Sequence, residues 1–174
     1  RATVDDSSLC VDNSGGGVCV LGAEEGTEVR GCVISGGAAY YGGGACGGRL
    51  VNCVLHGNIA EYGGGGACGS ELWHCTVTEN GRSDGGGVLD CYVANSVVYG
   101  NYGYDELYAN WSGGQFRHVC SSPLPPGDGN ICADPQFADA SAAEYQLLAW
   151  SPCMDAGDNT CLMSETDLLR NARV

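Results

Sequence analysis

Three features of the sequence predict an all-β fold, a right-handed parallel β-helix with about 21 to 22 residues in each coil. A similar segment recurs with a period of 21, 22 and 21 residues. Each copy contains short β-branched runs, which favour strands, and most copies contain a glycine triplet, which would break a helix. The period is too short for a pair of helices, and it suits one turn of a solenoid whose coils stack about 4.8 Å apart.

The four clearest copies align on an anchor position that is cysteine three times and serine once: Cys32, Cys53, Cys75 and Ser96. An aliphatic residue lies two positions after each anchor: Ile34, Leu55, Val77 and Val98. Another lies three positions before it: Val29, Leu50, Leu72 and Val93. Equivalent residues of stacked coils lie above one another, so we expect the anchors and the residues two positions after them to form inward columns.

Asparagine and glycine mark the corners of the predicted coil. Asn58, Asn80 and Asn101 each lie five positions after their anchor, where the first copy has Gly37. Stacked asparagines form ladders of side-chain hydrogen bonds and tolerate left-handed backbone, so we predict an asparagine ladder. Glycine triplets follow at 42–44, 64–66 and 85–87 and permit a tight corner. A degenerate copy around Cys10 and Cys19 predicts a partial coil at the start.

The predicted organisation is a coil region, 1–110, followed by a C-terminal loop and capping region, 111–174. The second region begins with a turn-rich stretch that contains Pro123, Pro125 and Pro126. We expect it to cap one end of the solenoid and to be held by disulfides among its four cysteines. The sequence begins at Arg1 without a signal segment, so we expect a processed product or a fragment of a longer chain.

The cysteines predict an oxidising, extracellular setting, secreted or at a cell surface. They form an even set of twelve without the spacing of a zinc or haem site. All twelve are disulfide candidates: Cys10, Cys19, Cys32, Cys46, Cys53, Cys68, Cys75, Cys91, Cys120, Cys132, Cys153 and Cys161. Bonds between coils, such as Cys46 to Cys68, and bonds across a corner, such as Cys46 to Cys53, both remain open because spacing does not fix connectivity.

Charge and hydropathy restrict the classes of partner that we expect this chain to bind. The chain has 21 acidic and 7 basic residues and a net charge of −14, which argues against nucleic acid and anionic membrane surfaces. No apolar run approaches the ~20 residues that span a bilayer. We expect no cofactor.

The repeat resembles those of secreted bacterial surface proteins. The segment NCVLHGNIAEYGGGGA, residues 52–67, is similar to right-handed parallel β-helix repeats in adhesin-like and polymorphic outer-membrane proteins. The tail segments GNICADPQF, YQLLAWSPCMDAGDN and TDLLRNARV resemble the closing region of choice-of-anchor β-helix proteins of the Q type. Members of that family mostly have no assigned activity, so the resemblance implies a location and a shape.

No enzymatic site is expected. Parallel β-helix lyases and hydrolases place acidic residues at one phase of neighbouring coils, whereas the acids here fall at different phases: Glu61, Glu71, Glu79, Asp84, Asp90, Asp105 and Glu106. The short acidic stretches 128–130 and 155–159 are interpreted as turns rather than calcium sites. His56 and His74 differ in phase and should face different sides, and His118 is distant in sequence, so no metal site is expected.

Two surface features suggest binding. The first is an outward, largely apolar column, here named the stripe, which consists of Val33, Val54, Thr76 and Val97. The stripe either contacts a partner or is shielded by tyrosines such as Tyr40, Tyr41 and Tyr62. Tyrosines near the last coil either cover the solenoid end or stack on sugars. An uncovered N-terminal edge would permit head-to-tail stacking of subunits into a fibre or stalk.

The function expected from these features is an extracellular structural or adhesive module that forms a homo-oligomer or contacts a polysaccharide or cell-surface ligand. The alternative is a carbohydrate-binding or carbohydrate-active β-helix.

Overall fold

The computed structural model describes residues 3–5, 17–19, 28–81, 85–106 and 109–161. The first nine strands are β1 Thr3–Asp5, β2 Val18–Cys19, β3 Glu28–Arg30, β4 Val33–Ser35, β5 Ala38–Tyr41, β6 Ala45–Cys46, β7 Arg49–Val51, β8 Val54–His56 and β9 Ile59–Gly63. The other nine are β10 Ala67–Cys68, β11 Glu71–Trp73, β12 Thr76–Thr78, β13 Val88–Leu89, β14 Tyr92–Val98, β15 Trp111–Ser112, β16 Gln115–Ser121, β17 Phe137–Asp139 and β18 Glu144–Leu147.

The strands stack as a parallel β-solenoid of about four turns, which confirms the predicted fold class. Successive coils add strands to four stacks. The first contains β3, β7 and β11, the second β4, β8 and β12, the third β5 and β9, and the fourth β2, β6, β10, β13 and β15. The long strands β14 and β16 span the first and second stacks, and all these pairings are parallel. The right-handed sense of the coil stays a prediction.

Register places the hydrophobic columns of the repeat inside the solenoid, and the anchors Cys32, Cys53 and Cys75, which were predicted to face inward, are buried as well. Val29, Leu50, Leu72 and Val93 pair in succession and are all buried. Ile34, Leu55, Val77 and Val98 do the same in the second stack. A further inward column, which the repeat alignment did not single out, lies in the fourth stack and consists of Val18, Ala45, Ala67, Val88 and Trp111. Burial of these columns between neighbouring coils supplies the hydrophobic stabilisation of the fold.

The predicted asparagine ladder is present and fully buried over its central rungs. The Asn58 side-chain amide donates to Asn80 Oδ1 at 2.9 Å, and the Asn80 amide donates to Asn101 Oδ1 at 3.0 Å. Asn101 in turn donates to Asn110 Oδ1 at 2.9 Å, so the ladder has a fourth member. At the first coil the backbone N–H of Gly37 donates to Asn58 Oδ1. Each rung therefore satisfies polar groups that would otherwise be buried without partners.

The predicted boundary at residue 110 is misplaced. Strand β15 pairs in register with β13, and β16 pairs in register with β14, so the stacked strands continue to Ser121. The sequence pattern failed here because Phe116 and Val119 occupy phases that hold aliphatic residues and cysteine in earlier coils.

The loop after Ser121 caps this end of the solenoid through hydrogen bonds. Asn130 accepts from the backbone N–H of Val119 at 2.9 Å and donates to the carbonyl of Phe116 at 3.2 Å. Ile131 forms a parallel bridge with Cys120. The Trp111 indole donates to the carbonyl of Pro123 at 2.9 Å. The ten cysteines whose thiols are described, from Cys32 to Cys161, are free, so the disulfide-tied cap is not confirmed. Cys10 and the thiol of Cys19 lie outside the described residues.

The N-terminal edge, expected to be open, is covered in part by the chain itself. Strand β1 pairs antiparallel with β3, with Val4 opposite Val29. In the second stack β4 is the outermost strand among the described residues. The loop cap at one end and β1 at the other leave little free edge on the first stack. Head-to-tail assembly stays a prediction.

Candidate functional site

The C-terminal tail, residues 132–161, lies against the second stack along a column of bend residues. Each coil changes direction between the first and second stacks at one residue in left-handed conformation: Gly31, Asn52, His74, Asn95 and His118. Their φ angles lie between 48° and 60°. Glycine, asparagine and histidine tolerate this region better than most residues, which explains the residue types at this phase.

Two bend residues hold the tail. Asn95 Nδ2 donates to the carbonyl of Asp158 at 3.0 Å, and Asn95 Oδ1 accepts from the backbone N–H of Asp158 at 2.8 Å. His118 Nδ1 lies 3.2 Å from the carbonyl oxygen of Ala156. Because a carbonyl only accepts, His118 Nδ1 carries the proton in this contact. At these two points the tail is attached through its backbone, so the attachment does not depend on the side chains at 156 and 158.

A cleft of about 770 Å³ lies between the tail and the solenoid. The stripe forms its floor, and tail residues that include Tyr145, Met154 and Asp155 form its opposite wall. Register confirms that Val33, Val54, Thr76 and Val97 form one column, and it adds Cys120 as the next member. A volume of this order accommodates a small organic ligand.

The tail covers the stripe unevenly. Val33 is 61% exposed, whereas Val97 is 9% exposed and Cys120 is 2% exposed. The stripe is thus shielded at its C-terminal end by the tail of the same chain. The tyrosines that were expected to shield it, Tyr40, Tyr41 and Tyr62, lie on β5 and β9 in the third stack. A partner role for the whole stripe stays a hypothesis, and only its Val33 end is open.

Tyr145 closes one side of the cleft. Its hydroxyl donates to Glu79 Oε2 at 3.0 Å, and its ring contacts His56 and Phe137 with centroids 5.4 and 5.5 Å away. Burial, together with the hydrogen bond to the Glu79 carboxylate, raises the pKa of Tyr145 to about 12. The side chain is therefore a neutral hydrogen-bond donor at physiological pH.

All three histidines line this cleft. His56 lies on β8 in the second stack, and His74 lies at the bend between the first and second stacks. Both side chains border the cleft. Within the described ranges, no three histidine, cysteine or acidic side chains lie where they could hold a metal ion together.

Several of the described acidic residues have structural partners. Glu71 forms an ion pair with Arg49 on the neighbouring coil at 2.8 Å. Asp158 accepts from the backbone and hydroxyl of Thr160, and these hydrogen bonds lower its pKa. Asn130 fixes the capping loop. These contacts support the interpretation of 128–130 and 155–159 as turns. Asp84 lies outside the described residues.

A second candidate surface is a cluster of exposed tyrosines on the third stack, here named the tyrosine face and defined as Tyr40, Tyr41 and Tyr62. The rings of Tyr40 and Tyr62 stack with centroids 5.5 Å apart and planes 19° apart, and Tyr41 lies 5.6 Å from Tyr62. Their exposed fractions are between 43% and 55%. Exposed rings held by a rigid sheet form a preorganised surface for a ligand with an apolar face.

Tyr102 extends this side toward the last coil and is also exposed. Isolated bridges join Ile59, Gly81 and Tyr102 in successive coils, so Tyr102 belongs to the same stack. The sequence associated Tyr102 with the end of the solenoid, together with Tyr99, Tyr104, Tyr108 and Trp111. Of these, Trp111 packs inward against Phe116, and Tyr108 lies outside the described residues.

Comparisons with protein-family models, curated proteins and solved structures find no match to this chain. The helices formed by the described residues are single 3-10 turns at 140–142 and 159–161, and no described helix has the length and apolarity needed to cross a membrane.

Proposed function

We propose that this chain is a non-catalytic adhesive module whose tyrosine face binds a polysaccharide. The exposed cluster of Tyr40, Tyr41 and Tyr62 on a rigid stack of coils is the observation that carries this proposal. Sugar rings present apolar C–H faces that pack on aromatic rings, and the tyrosine hydroxyls offer hydrogen bonds at the rim.

The geometry suits an extended ligand better than a single sugar. Tyr40 lies on β5 and Tyr62 on β9, so the cluster spans two coils, and Tyr102 lies further along the same stack. The tyrosine face is open rather than enclosed, so it can accept an internal segment of a chain. Binding through several weak contacts along a polymer gains affinity from multivalency.

Charge restricts the class of polysaccharide. The net charge of −14 repels polyanions at low ionic strength. We therefore propose an uncharged polysaccharide. Secretion or display at a bacterial surface is part of the same proposal, supported by the cysteine content and by the resemblance of the repeat and tail to choice-of-anchor β-helix proteins.

The test is affinity electrophoresis of the purified chain in gels that contain neutral or acidic polysaccharides. We expect slower migration with at least one neutral polysaccharide, and loss of that retardation in the double variant Tyr40→Ala/Tyr62→Ala. Trp150→Ala is the matched control, because Trp150 is an aromatic on the tail that is even more exposed than the two tyrosines. Retardation that survives the double variant would overturn the proposal. Accumulation of shortened sugars in the gel would favour the enzymatic alternative.

A further inference from the structure

The contact between Cys120 and Cys153 joins the solenoid to its tail. Cys120 lies on β16 and pairs in register with Val97, so it is the last member of the stripe. It lies at the end of the stripe that the tail covers. Cys153 belongs to the tail and lines the same cleft. The Cys120 thiol donates to the carbonyl of Ala133 in the tail at 3.2 Å, and the Cys153 side chain lies within interaction distance of the same thiol.

The backbone around Cys153 is held in place. Ser151 is buried, and its hydroxyl donates to the carbonyl of Pro135 at 2.6 Å. The same hydroxyl accepts from the backbone N–H of Cys153 at 3.1 Å. On the other side Cys120 lies within the ladder of β14 and β16. Two neighbouring thiols on backbones fixed by hydrogen bonds are placed so that a disulfide between them would need little backbone movement.

The two thiols differ in acidity in a way that suits bond formation. The interaction with Cys120 lowers the pKa of Cys153, and the same interaction together with burial raises the pKa of Cys120. Cys153 is half-buried and Cys120 is buried. The more accessible sulfur is therefore also the better nucleophile toward an external disulfide.

We propose that Cys120 and Cys153 form a disulfide that locks the tail over the C-terminal half of the stripe, where the reduced chain holds the tail by hydrogen bonds alone. The oxidant is a small disulfide such as oxidised glutathione. The Cys153 thiolate attacks it, forms a mixed disulfide and releases one glutathione thiolate. Cys120 then loses its proton and attacks the Cys153 sulfur, which releases the second glutathione. Two protein thiols are oxidised and one glutathione disulfide is reduced.

This pairing selects one of the disulfide connectivities that sequence spacing left open among the four cysteines after Ser112. Cys132 is exposed and is close enough for its charge to raise the pKa of Cys120, so it is the natural competitor. The Cys161 thiol instead donates to Asp158 Oδ2 at 3.5 Å.

Peptide mapping tests the pairing directly. The full chain is equilibrated in a glutathione redox buffer, free thiols are alkylated, and the protein is cut before aspartate residues. This cleavage places the four cysteines in four fragments, 105–127, 128–133, 139–154 and 158–166. We expect fragments 105–127 and 139–154 to be joined by a disulfide, with the same product in the Cys132→Ser variant. A bond from 105–127 to either other fragment, or alkylation of both Cys120 and Cys153 in the oxidising buffer, would overturn it.

Hydrogen exchange tests the locking role separately. Amides of 151–158 should exchange at least tenfold more slowly in the oxidised protein than in the reduced protein. The Cys153→Ser variant should show no such difference between the two buffers, while exchange in β8 and β12 stays slow in every sample. Equal tail exchange in oxidised and reduced wild-type protein would contradict the lock even if the bond forms. Polysaccharide binding by the tyrosine face does not depend on this outcome.

Discussion

The side chain of Asn95 pairs with the backbone of Asp158 through two hydrogen bonds, 63 residues apart in sequence. The side-chain amide of Asn95 both donates to and accepts from the Asp158 backbone, as the peptide group of a neighbouring strand would. The tail therefore joins the solenoid without extending a sheet. The same asparagine has the left-handed conformation that turns the coil between two stacks, with φ of 48°. One residue therefore turns the coil and attaches the tail.

Replacing Asn95 by glycine separates these two roles, because glycine keeps the left-handed backbone and removes the amide. We expect exchange of the Asp158 amide to accelerate, since two hydrogen bonds are worth about 1–3 kcal/mol in total. Hydrogen exchange read residue by residue measures the effect. Unchanged protection of β8 and β12 serves as the internal control, and an unchanged rate at Asp158 would contradict the attachment.

Asn80 is a rung of the ladder with asparagine neighbours on both sides. Its replacement by alanine removes the acceptor of the Asn58 backbone N–H and of one Asn58 side-chain N–H, and it removes one of the two donors to Asn101 Oδ1. We expect a loss of about 2–4 kcal/mol in the free energy of unfolding, because buried polar groups then lack partners. Urea denaturation measures this loss. A loss below about 0.5 kcal/mol, which is typical of surface substitutions, would show that the ladder is not a source of stability.

The glycine triplets are explained by the ladder beside them. A Cβ on Gly66 would lie 2.6 Å from the Gly87 carbonyl oxygen and 3.0 Å from Asn80 Nδ2, so Gly66→Ala forces backbone apart. Gly57→Ala is the matched control, because its Cβ would meet open space and only its φ of +62° is strained. We expect Gly66→Ala to cost more than the ~1–2 kcal/mol of a left-handed alanine. Equal denaturation midpoints for the two variants would refute the packing explanation.

The ionisation of Tyr145 reports closure of the cleft. Its pKa is raised to about 12 in the folded chain, above the unfolded value near 10. The neutral form is favoured by folding, so this contribution to stability is complete below pH 10 and disappears as the pH rises through 12. Carbon NMR of ring-labelled tyrosine measures the midpoint, and Tyr145→Phe assigns the resonance. Glu79→Gln should lower the midpoint, and a wild-type midpoint near 10 would show an open cleft.

The repeat made the coil predictable because the same phases recur in each copy. The columns at Ile34 and Leu55 and the ladder at Asn58 and Asn80 follow from the period alone. The fourth member of the ladder, Asn110, does not follow from the period. Register places it at the phase of Gly87, the third glycine of a triplet, and its side chain completes the ladder where the coil offers no further repeat asparagine.

The tail site could be foreseen only in part. The residues that precede the anchors, Asn52, His74 and Asn95, are of types that tolerate left-handed backbone, and that signal was present in the sequence. It does not reveal that a segment 63 residues later pairs with Asn95. The place of Cys120 in the stripe was also hidden, because β16 follows β14 by 23 residues at this phase rather than 21 or 22. Contacts between the tail and the coils are specific to one place and leave no periodic pattern.

Binding at the tyrosine face is the central functional claim, and ring-labelled tyrosine NMR tests it most directly. On titration with the neutral polysaccharide selected by affinity electrophoresis, or a soluble oligosaccharide of it, the resonances of Tyr40, Tyr41 and Tyr62 should shift together. The resonance of Tyr145, which lies in the cleft, should stay unchanged. Shifts at Tyr145 with none at the three exposed tyrosines would contradict the account and move the binding site to the cleft.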